Sequence, residues 1–239
     1  MARILSIETS TAVLSVALSE DRTVVSERVC TEARQQAALT APLVKEVLDE
    51  AGVSVRDCDA VCVSAGPGSY TGLRVGVSTA KGLAFGADIP LLAVGTLDIL
   101  VAGIIFGAKQ PGESGDGLDR RDHSYIVPMI DARRMEVYTA VYNAAGECLT
   151  PVEAKVVGPE SFADYLDRGP VLFVGDGAGK CREVITHPNA RFQEAAPLAR
   201  HMAVLALDAF RAGKFQNVAY FEPFYLKDFV ATVSKKQLW

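Results

Sequence analysis

The chain has 239 residues, 49% hydrophobic and 22% charged, a balance typical of a globular protein with one or two domains. Its formal net charge of −5 makes it poorly suited to bind nucleic acid alone, because Lys and Arg supply most of the affinity for phosphates. No stretch approaches the ~20 apolar residues of a membrane helix. Five scattered cysteines lack a disulfide framework and, with Glu8 interrupting the first apolar run, predict a reducing, cytoplasmic location.

The first hundred residues predict three consecutive strands and then alternating helices and strands. The strands are rich in β-branched residues and separated by short polar turns. A glycine, Gly52, follows the first predicted helix and is a typical stop signal. The predicted elements are strands at 3–8, 12–19 and 23–30, a helix at 32–51, a strand at 59–64, a helix ending near 86, a strand at 91–94 and a third helix capped by Thr96.

A change of composition between Gly107 and Asp122 divides the chain. This segment is rich in Gly, Asp, Gln and Lys and cannot bury enough apolar surface to order itself, so it is predicted to be a loop. We therefore expect an N-terminal lobe at 1–106, a linker at 107–123 and a C-terminal lobe at 124–239. The last helix and tail could pack back on the first lobe.

The second lobe repeats the order of the first. A strand at 125–131 ends on Asp131, as the first strand of the chain ends on Glu8, and strands at 136–143 and 148–157 follow. A helix, a strand at 171–174, a glycine turn and another helix complete the repeat. Such duplication predicts an α/β protein with two similar lobes around a cleft. It resembles the actin/Hsp70/sugar-kinase superfold, in which two acidic hairpins hold the phosphates and metal of ATP.

A glycine-rich segment after the strand at 59–64 predicts a tight turn into a helix. Gly66 and Gly68 permit backbone conformations that other residues resist, and Ser69 or Thr71 can cap the helix. The third glycine comes one residue too late for a dinucleotide fingerprint, and the strand is not the first. From the pattern alone, a structural turn is favoured. We call this segment the signature loop, with residues Gly66, Pro67, Gly68, Ser69, Tyr70, Thr71, Gly72 and Arg74.

Several segments together closely resemble the TsaB (YeaZ) family, the small partner in making threonylcarbamoyl-adenosine on tRNA. They are Ile-Glu-Thr-Ser at 7–10, the signature loop, Ala-Lys-Gly-Leu-Ala at 80–84, Asp-Ala-Arg-Arg-x-Glu-Val-Tyr at 131–138, Gly-Asp-Gly-Ala at 175–178 and Pro-x-Tyr-Leu at 223–226. The resemblance spans nearly the whole chain. Tyr70 stands where the family usually has Phe.

The resemblance implies a non-catalytic pseudo-enzyme that binds and activates a TsaD-like partner for threonylcarbamoylation of the tRNA adenosine next to the anticodon. TsaD shares the fold and carries metal-binding histidines on a helix that here has none, and Gln36 stands where one is expected. It also implies a TsaE-like ATPase in the larger complex, ATP and a metal ion in the partner subunits, no cofactor on this chain alone, and tRNA contact only through the complex.

The alternative function is that of an independent ATP-dependent kinase or ATPase of the same fold. A zinc peptidase is a third class of function.

The two acidic turns predict, at most, a vestigial nucleotide cleft. Phosphate cradles need glycine, because backbone N–H groups must approach the anion closely, yet the second turn carries arginines that could still meet an anion. The glycine turn at 175–180 lacks the first glycine and the Ser or Thr of a Walker sequence. The predicted cleft residues are Glu8, Thr9, Ser10, Asp131, Arg133, Arg134, Gly175 and Gly177. His123, His187 and His201 stand alone, so no metal site is predicted.

Small residues recur every four positions on two predicted helices. Gly72, Gly76, Ala80 and Ala84 form one stripe, and Ala33, Ala37 and Ala41 form another. Packing on the lobe's own sheet is one explanation, but the excess of small residues favours a helix-on-helix partner interface. Members of the resembled family dock against TsaD through such helices. For the chain alone, we expect a homodimer through the same lobe.

Overall fold

The computed structural model describes residues 1–107 and 123–227. The first lobe contains β1 (Arg3–Glu8), β2 (Leu14–Glu20), β3 (Thr23–Cys30), α1 (Gln36–Glu50), β4 (Ala60–Ser64), α2 (Tyr70–Ala87), β5 (Leu91–Val94) and α3 (Thr96–Phe106). The remainder contains β6 (Tyr125–Asp131), β7 (Glu136–Thr139), β8 (Tyr142–Asn143), β9 (Glu153–Val156), α4 (Ala163–Leu166), β10 (Val171–Val174), α5 (Ala178–Cys181), β11 (Ala190–Gln193) and α6 (Met202–Arg211).

Two sheets share one strand order. The first runs β3-β2-β1-β4-β5 and the second runs β9-β7-β6-β10-β11, with β8 as an extra partner of β6. In each sheet the central strand pairs antiparallel with the strand that follows it and parallel with the strand after the next helix. The duplicated α/β arrangement predicted from the sequence is confirmed.

Both faces of the first sheet are buried along β1, β2 and β4, which explains the largely apolar sequences of these strands. Because side chains alternate along β1, Leu5 and Ile7 pack with α1 and α2, whereas Ile4 lies on the opposite face. There it packs in one cluster with Met202 and Ala206 of α6. The last helix therefore covers the first sheet, although it follows the second sheet in the chain.

Helix α3 lies between the two sheets. Ile99 packs in the cluster of the first sheet, whereas Leu97 and Leu100 pack with strands of the second. A helix that is apolar on nearly every side is expected to be buried in this way. None of the helices in the described ranges is long and apolar enough to cross a bilayer.

Helix boundaries in the first lobe differ slightly from the prediction. Helix α1 begins at Gln36 rather than at 32, because Arg34 adopts a positive φ of 67°, which ends regular helix geometry. Ser69 caps α2, as predicted, by accepting a hydrogen bond from the Gly72 amide. Gly95, not Thr96, caps α3.

Strands in the second lobe are shorter than predicted. The expected strand at 136–143 is divided into β7 and β8, and that at 148–157 is reduced to β9. At the start of the strand predicted at 148–157, the only pairing in the described residues is an isolated bridge between Tyr142 and Cys148. The predicted linker at 107–123 lies, apart from its two end residues, outside the described ranges.

Candidate functional site

The first acidic turn, which follows β1, is closed inside its lobe. Glu8, Thr9 and Ser10 are all fully buried. The Glu8 carboxylate accepts hydrogen bonds from the Ser10 amide, from Ser10 Oγ at 3.0 Å and from Ser64 Oγ at 2.9 Å. Burial raises the pKa of Glu8 to about 7, and these three donors oppose that rise. The carboxylate is therefore engaged internally and does not face a ligand.

The signature loop is what closes this turn. The Ser69 amide donates to the Ser10 carbonyl at 2.6 Å, and Thr9 Oγ1 donates to the Gly72 carbonyl at 2.8 Å. A Cβ on Gly68 would stand 2.4 Å from the Ser10 carbonyl oxygen, and one on Gly72 would stand 2.1 Å from that of Thr9. Glycine is required at both positions because the two backbones touch. The two motifs form one packing unit.

The prediction that Glu8, Thr9 and Ser10 line a nucleotide cleft is therefore corrected. Residues with no exposed surface cannot cradle a phosphate, which needs free backbone N–H groups at the anion. The Ser10 amide already donates its hydrogen bond to the Glu8 carboxylate, so it is not free to bind an anion.

The C-terminal segment from Gln216 to Lys227, which we call the tail, lies across the signature loop. The Phe224 amide donates to the Ala65 carbonyl at 2.7 Å. Gly66 has φ of 107° and a Cβ there would stand 2.7 Å from the Phe224 carbonyl oxygen. The Tyr225 ring lies 4.6 Å from the ring of Tyr70. The sequence analysis allowed for packing of the tail on the first lobe, but it named none of these contacts, since no local pattern reports a pairing over such a separation.

The tail is also held by α2. Lys81 Nζ donates to the carbonyls of Ala219 and Phe221 at 3.2 and 3.1 Å. At its other end, Lys227 forms an ion pair with Glu136 of β7. The tail therefore connects the first lobe to the second.

The second acidic turn is open to solvent. Asp131, Arg133 and Arg134 are exposed, and both arginines have positive φ values, 70° and 51°. The Asp131 carboxylate forms an ion pair with Lys180 and accepts from the Arg133 amide at 3.1 Å. Lys180 Nζ also donates to the Glu136 carbonyl at 2.7 Å. The lysine of the Walker-like segment thus braces this turn.

Gly175 and Gly177 serve the packing of the same turn. Gly175 has φ of 131°, and a Cβ there would stand 2.2 Å from the Met129 carbonyl oxygen. The Gly177 amide donates to that oxygen at 2.9 Å. The glycine turn after β10 therefore lies against the backbone of β6, beside Asp131.

The two stripes of small residues have different surroundings in the structure. Gly72 and Gly76 are buried, and Ala80 and Ala84 are 0% and 1% exposed within the core of their own lobe. Their prediction as a partner interface is wrong, because this face of α2 lies on the first turn and the lobe's own sheet. Ala33, Ala37 and Ala41 are exposed, although Ala33 precedes α1.

An exposed face of α2 was missed by the sequence reasoning. Phe85 is 79% exposed, and its neighbours Gly82 and Gly86 are also exposed. A Cβ on either glycine would meet nothing within 4 Å. Glycine inside a helix costs roughly 0.5–1 kcal/mol of stability relative to Ala. Two glycines near a large apolar residue in one helix could therefore have indicated a contact surface from the sequence. We call Gly82, Phe85 and Gly86 the α2 face.

The three histidines have separate surroundings. His201 is largely buried, and burial lowers its pKa to about 4. His187 Nδ1 accepts from the Asn189 amide at 3.1 Å. Within the two described ranges, no group of three His, Cys, Asp or Glu side chains is arranged to hold a metal ion.

Comparison with known proteins identifies the family. The TsaD family model, tRNA N6-adenosine threonylcarbamoyltransferase, matches residues 24–235. The chain is 31% identical to the tRNA threonylcarbamoyladenosine biosynthesis protein TsaB of Escherichia coli, over 96% of each chain. It is 34% identical to the TsaB of Bacillus subtilis, over 76% of this chain and 74% of that one. The chain belongs to the TsaB (YeaZ) family.

The structural comparison agrees. YeaZ from Pseudomonas aeruginosa, 30% identical, superposes with a TM-score of 0.76 over 95% of this chain and 100% of that one. A second structure, of a protein from the same organism with similarity to peptidase YEAZ, gives 0.78 at 29% identity over the same shares. The predicted α/β fold with two similar lobes is confirmed, and it is the fold of these YeaZ structures. As a TsaB homologue, the chain is related to the modification of tRNA with threonylcarbamoyladenosine.

Proposed function

We propose that this TsaB-family chain is a non-catalytic subunit that binds a TsaD-like partner and activates it for threonylcarbamoylation of tRNA. In the larger assembly a TsaE-like ATPase joins them, and ATP and a metal ion belong to the partner subunits. The observation that carries the proposal is the α2 face. It presents a large apolar side chain between two glycines at which a Cβ would contact none of the described residues.

The α2 face has the composition of a helix-docking surface. Phe85 leaves most of its ring in water when the chain is alone, so covering it with another protein is favourable. Gly82 and Gly86 leave room for a partner helix to approach on either side of that ring. The exposed Ala37 and Ala41 of α1 add further small residues to the same lobe. Helix α1 packs beside α2.

The closed first turn supports a non-catalytic role. In the superfold that the chain resembles, both acidic turns hold phosphates and metal, whereas here the Glu8 carboxylate is engaged by Ser10 and Ser64. The glycines that could have formed a cradle instead accommodate Thr9 and Ser10. These contacts weigh against the alternative of an independent kinase or ATPase. Turnover of ATP by the purified chain would favour that alternative.

The test is a pull-down from the source cell with the full chain as bait, the retained proteins being identified by mass. The wild-type chain is expected to retain a TsaD-like protein. Gly82→Arg is expected to lose it without any fall in melting temperature, because the arginine enters open space on the exposed helix face and is a better helix former than glycine. Gly158→Arg is the matched control, since Gly158 also has open space but lies on the second lobe. Equal retention by Gly82→Arg would remove the α2 face from the interface.

A further inference from the structure

A line of planar and cationic side chains crosses from the first lobe to the second along the tail. At one end the guanidinium of Arg74 lies 4.1 Å over the ring of Tyr70, which stacks on Tyr225. Two residues further along, Lys227 Nζ lies 5.9 Å from the ring of Tyr138 and pairs with Glu136. We call these residues, with the second acidic turn, the bridging strip.

The second acidic turn forms the other end of the strip. The Glu136 amide and carbonyl close this turn by bonding the Arg133 carbonyl and the Ala132 amide, both at 3.1 Å. Arg133 and Arg134 therefore lie in the turn that leads into Glu136, the ion-pair partner of Lys227. Both are exposed, and no described residue forms a side-chain hydrogen bond or ion pair with either guanidinium. As far as the described residues show, neither guanidinium is engaged inside the chain, so both are available to an external anion.

The strip has a positive balance in an acidic chain. Its lysines are paired, Lys180 with Asp131 and Lys227 with Glu136, so the arginines carry the free charge. When Lys180 and Asp176, which bond to Asp131, and Glu222 of the tail are counted with the strip, it has five cations and four carboxylates, a net of +1 where the whole chain has −5. The cations are Arg74, Arg133, Arg134, Lys180 and Lys227, and the carboxylates are Asp131, Glu136, Asp176 and Glu222.

We propose that the bridging strip contacts RNA directly, in an unpaired segment of the substrate whose bases extend the Arg74–Tyr70–Tyr225 stack and whose phosphates meet Arg133 and Arg134. Unpaired RNA is recognised by stacking on aromatic rings and guanidinium planes together with cations along the backbone. The inference takes the identity of the RNA from the proposed function, but it adds a contact that subunit binding does not require.

A free nucleotide fits the same residues less well. Its phosphates would need the first turn, where Glu8, Thr9 and Ser10 are sealed beneath the signature loop. The strip instead lies on the surface and spans both lobes, an extended shape that suits a chain of nucleotides. An extended polyanion with planar bases matches both its length and its composition.

The test measures binding of a labelled RNA stem–loop containing the target adenosine to the full chain, alone and with its catalytic partner, over a range of salt concentrations. The double variant Arg133→Ala/Arg134→Ala is expected to bind at least tenfold more weakly. Losing two phosphate contacts to a single strand lowers the slope of log K against log salt by about 1.4. Tyr225→Ala is expected to weaken binding with the slope unchanged. The control Arg56→Ala/Arg168→Ala removes exposed arginines outside the strip.

The outcomes separate this inference from the proposed function. Unchanged affinity and salt slope in the double variant, or no RNA binding by wild type in either state, would overturn the bridging strip. Equal competition by an RNA duplex of the same length would overturn the stacking contact. Retention of the partner by the same variants is measured in parallel, so that a variant that loses RNA only because it loses the partner is recognised. Failure of the wild-type chain to retain the partner contradicts the proposed function and leaves RNA binding by the chain alone as the separate test of the strip.

Discussion

Gly76 of α2 lies directly against Thr9 of the first acidic turn: a Cβ on Gly76 would stand 2.2 Å from Thr9 Oγ1. That oxygen also donates a hydrogen bond of 2.8 Å to the Gly72 carbonyl, so it cannot move away without losing a buried bond. The glycine spacing of α2 thus serves a contact inside the lobe. Gly82, Phe85 and Gly86 lie on another side of the helix, which is exposed.

The first prediction contrasts two glycines of the same helix. Gly76→Ala is expected to lower the free energy of unfolding by about 1–3 kcal/mol, because the added methyl group collides with Thr9. Gly82→Ala is expected to raise it by about 0.5–1 kcal/mol, because Ala is the better helix former and meets nothing there. Urea unfolding followed by circular dichroism measures both. Equal stability of the two variants would contradict the packing of α2.

The second prediction concerns the buried Glu8. Its pKa rises from 4.5 to about 7 in the folded chain, so between these values the native state binds more protons than the unfolded state. The contribution of Glu8 to stability is therefore full below about pH 4.5 and is lost as the pH rises through 7. Relative to the Glu8→Gln variant, the free energy of unfolding of the wild type is expected to fall by about 3 kcal/mol between pH 4.5 and 8. If the free energy of unfolding of the two proteins changed with pH in the same way, Glu8 would titrate normally and the prediction would be wrong.

Sequence reasoning succeeded where the signal was local and repeated. The duplicated lobes followed from strands that end on Glu8 and Asp131 and recur in one order. It failed on α2, because small residues at every fourth position do not reveal which side of a helix meets its own sheet. The same orientation of α2 decides that Phe85 and Gly82 are exposed, so their exposure could not be predicted either.

Long-range contacts were also beyond local patterns. The tail contacts the signature loop through Tyr225 and Tyr70, which are far apart in the chain. The signature loop contains glycines that suit many kinds of tight turn, and only the packed structure shows that two of them admit Thr9 and Ser10. The short edge strand β9 pairs only with β7, so its formation depends on β7 more than on its own residues.

The third prediction concerns self-association. An exposed phenylalanine flanked by glycines is expected to pair with a copy of itself at high concentration, giving a symmetric dimer. Phe85→Ala and Gly82→Arg are each expected to shift the chain to monomer in light scattering, whereas Gly158→Arg keeps the dimer. A dimer that persists in both α2-face variants would assign self-association to another surface.

The fourth prediction concerns nucleotide. Calorimetry with ATP and magnesium is expected to give no binding in the micromolar range, because the Glu8 carboxylate is inaccessible and the second turn carries arginines in place of glycines. Micromolar affinity accompanied by ATP turnover would support the independent kinase or ATPase. Micromolar affinity lost in Arg133→Ala/Arg134→Ala would identify the bridging strip as a nucleotide site.

The central claim is tested most directly by reconstituting threonylcarbamoyl transfer to tRNA with the purified catalytic partner. The partner alone is expected to be slow, addition of this chain is expected to raise the rate, and Gly82→Arg is expected to leave the rate at the level of the partner alone. Gly158→Arg should activate as wild type does. A partner that is equally fast without this chain, or transfer by this chain without the partner, would contradict the account.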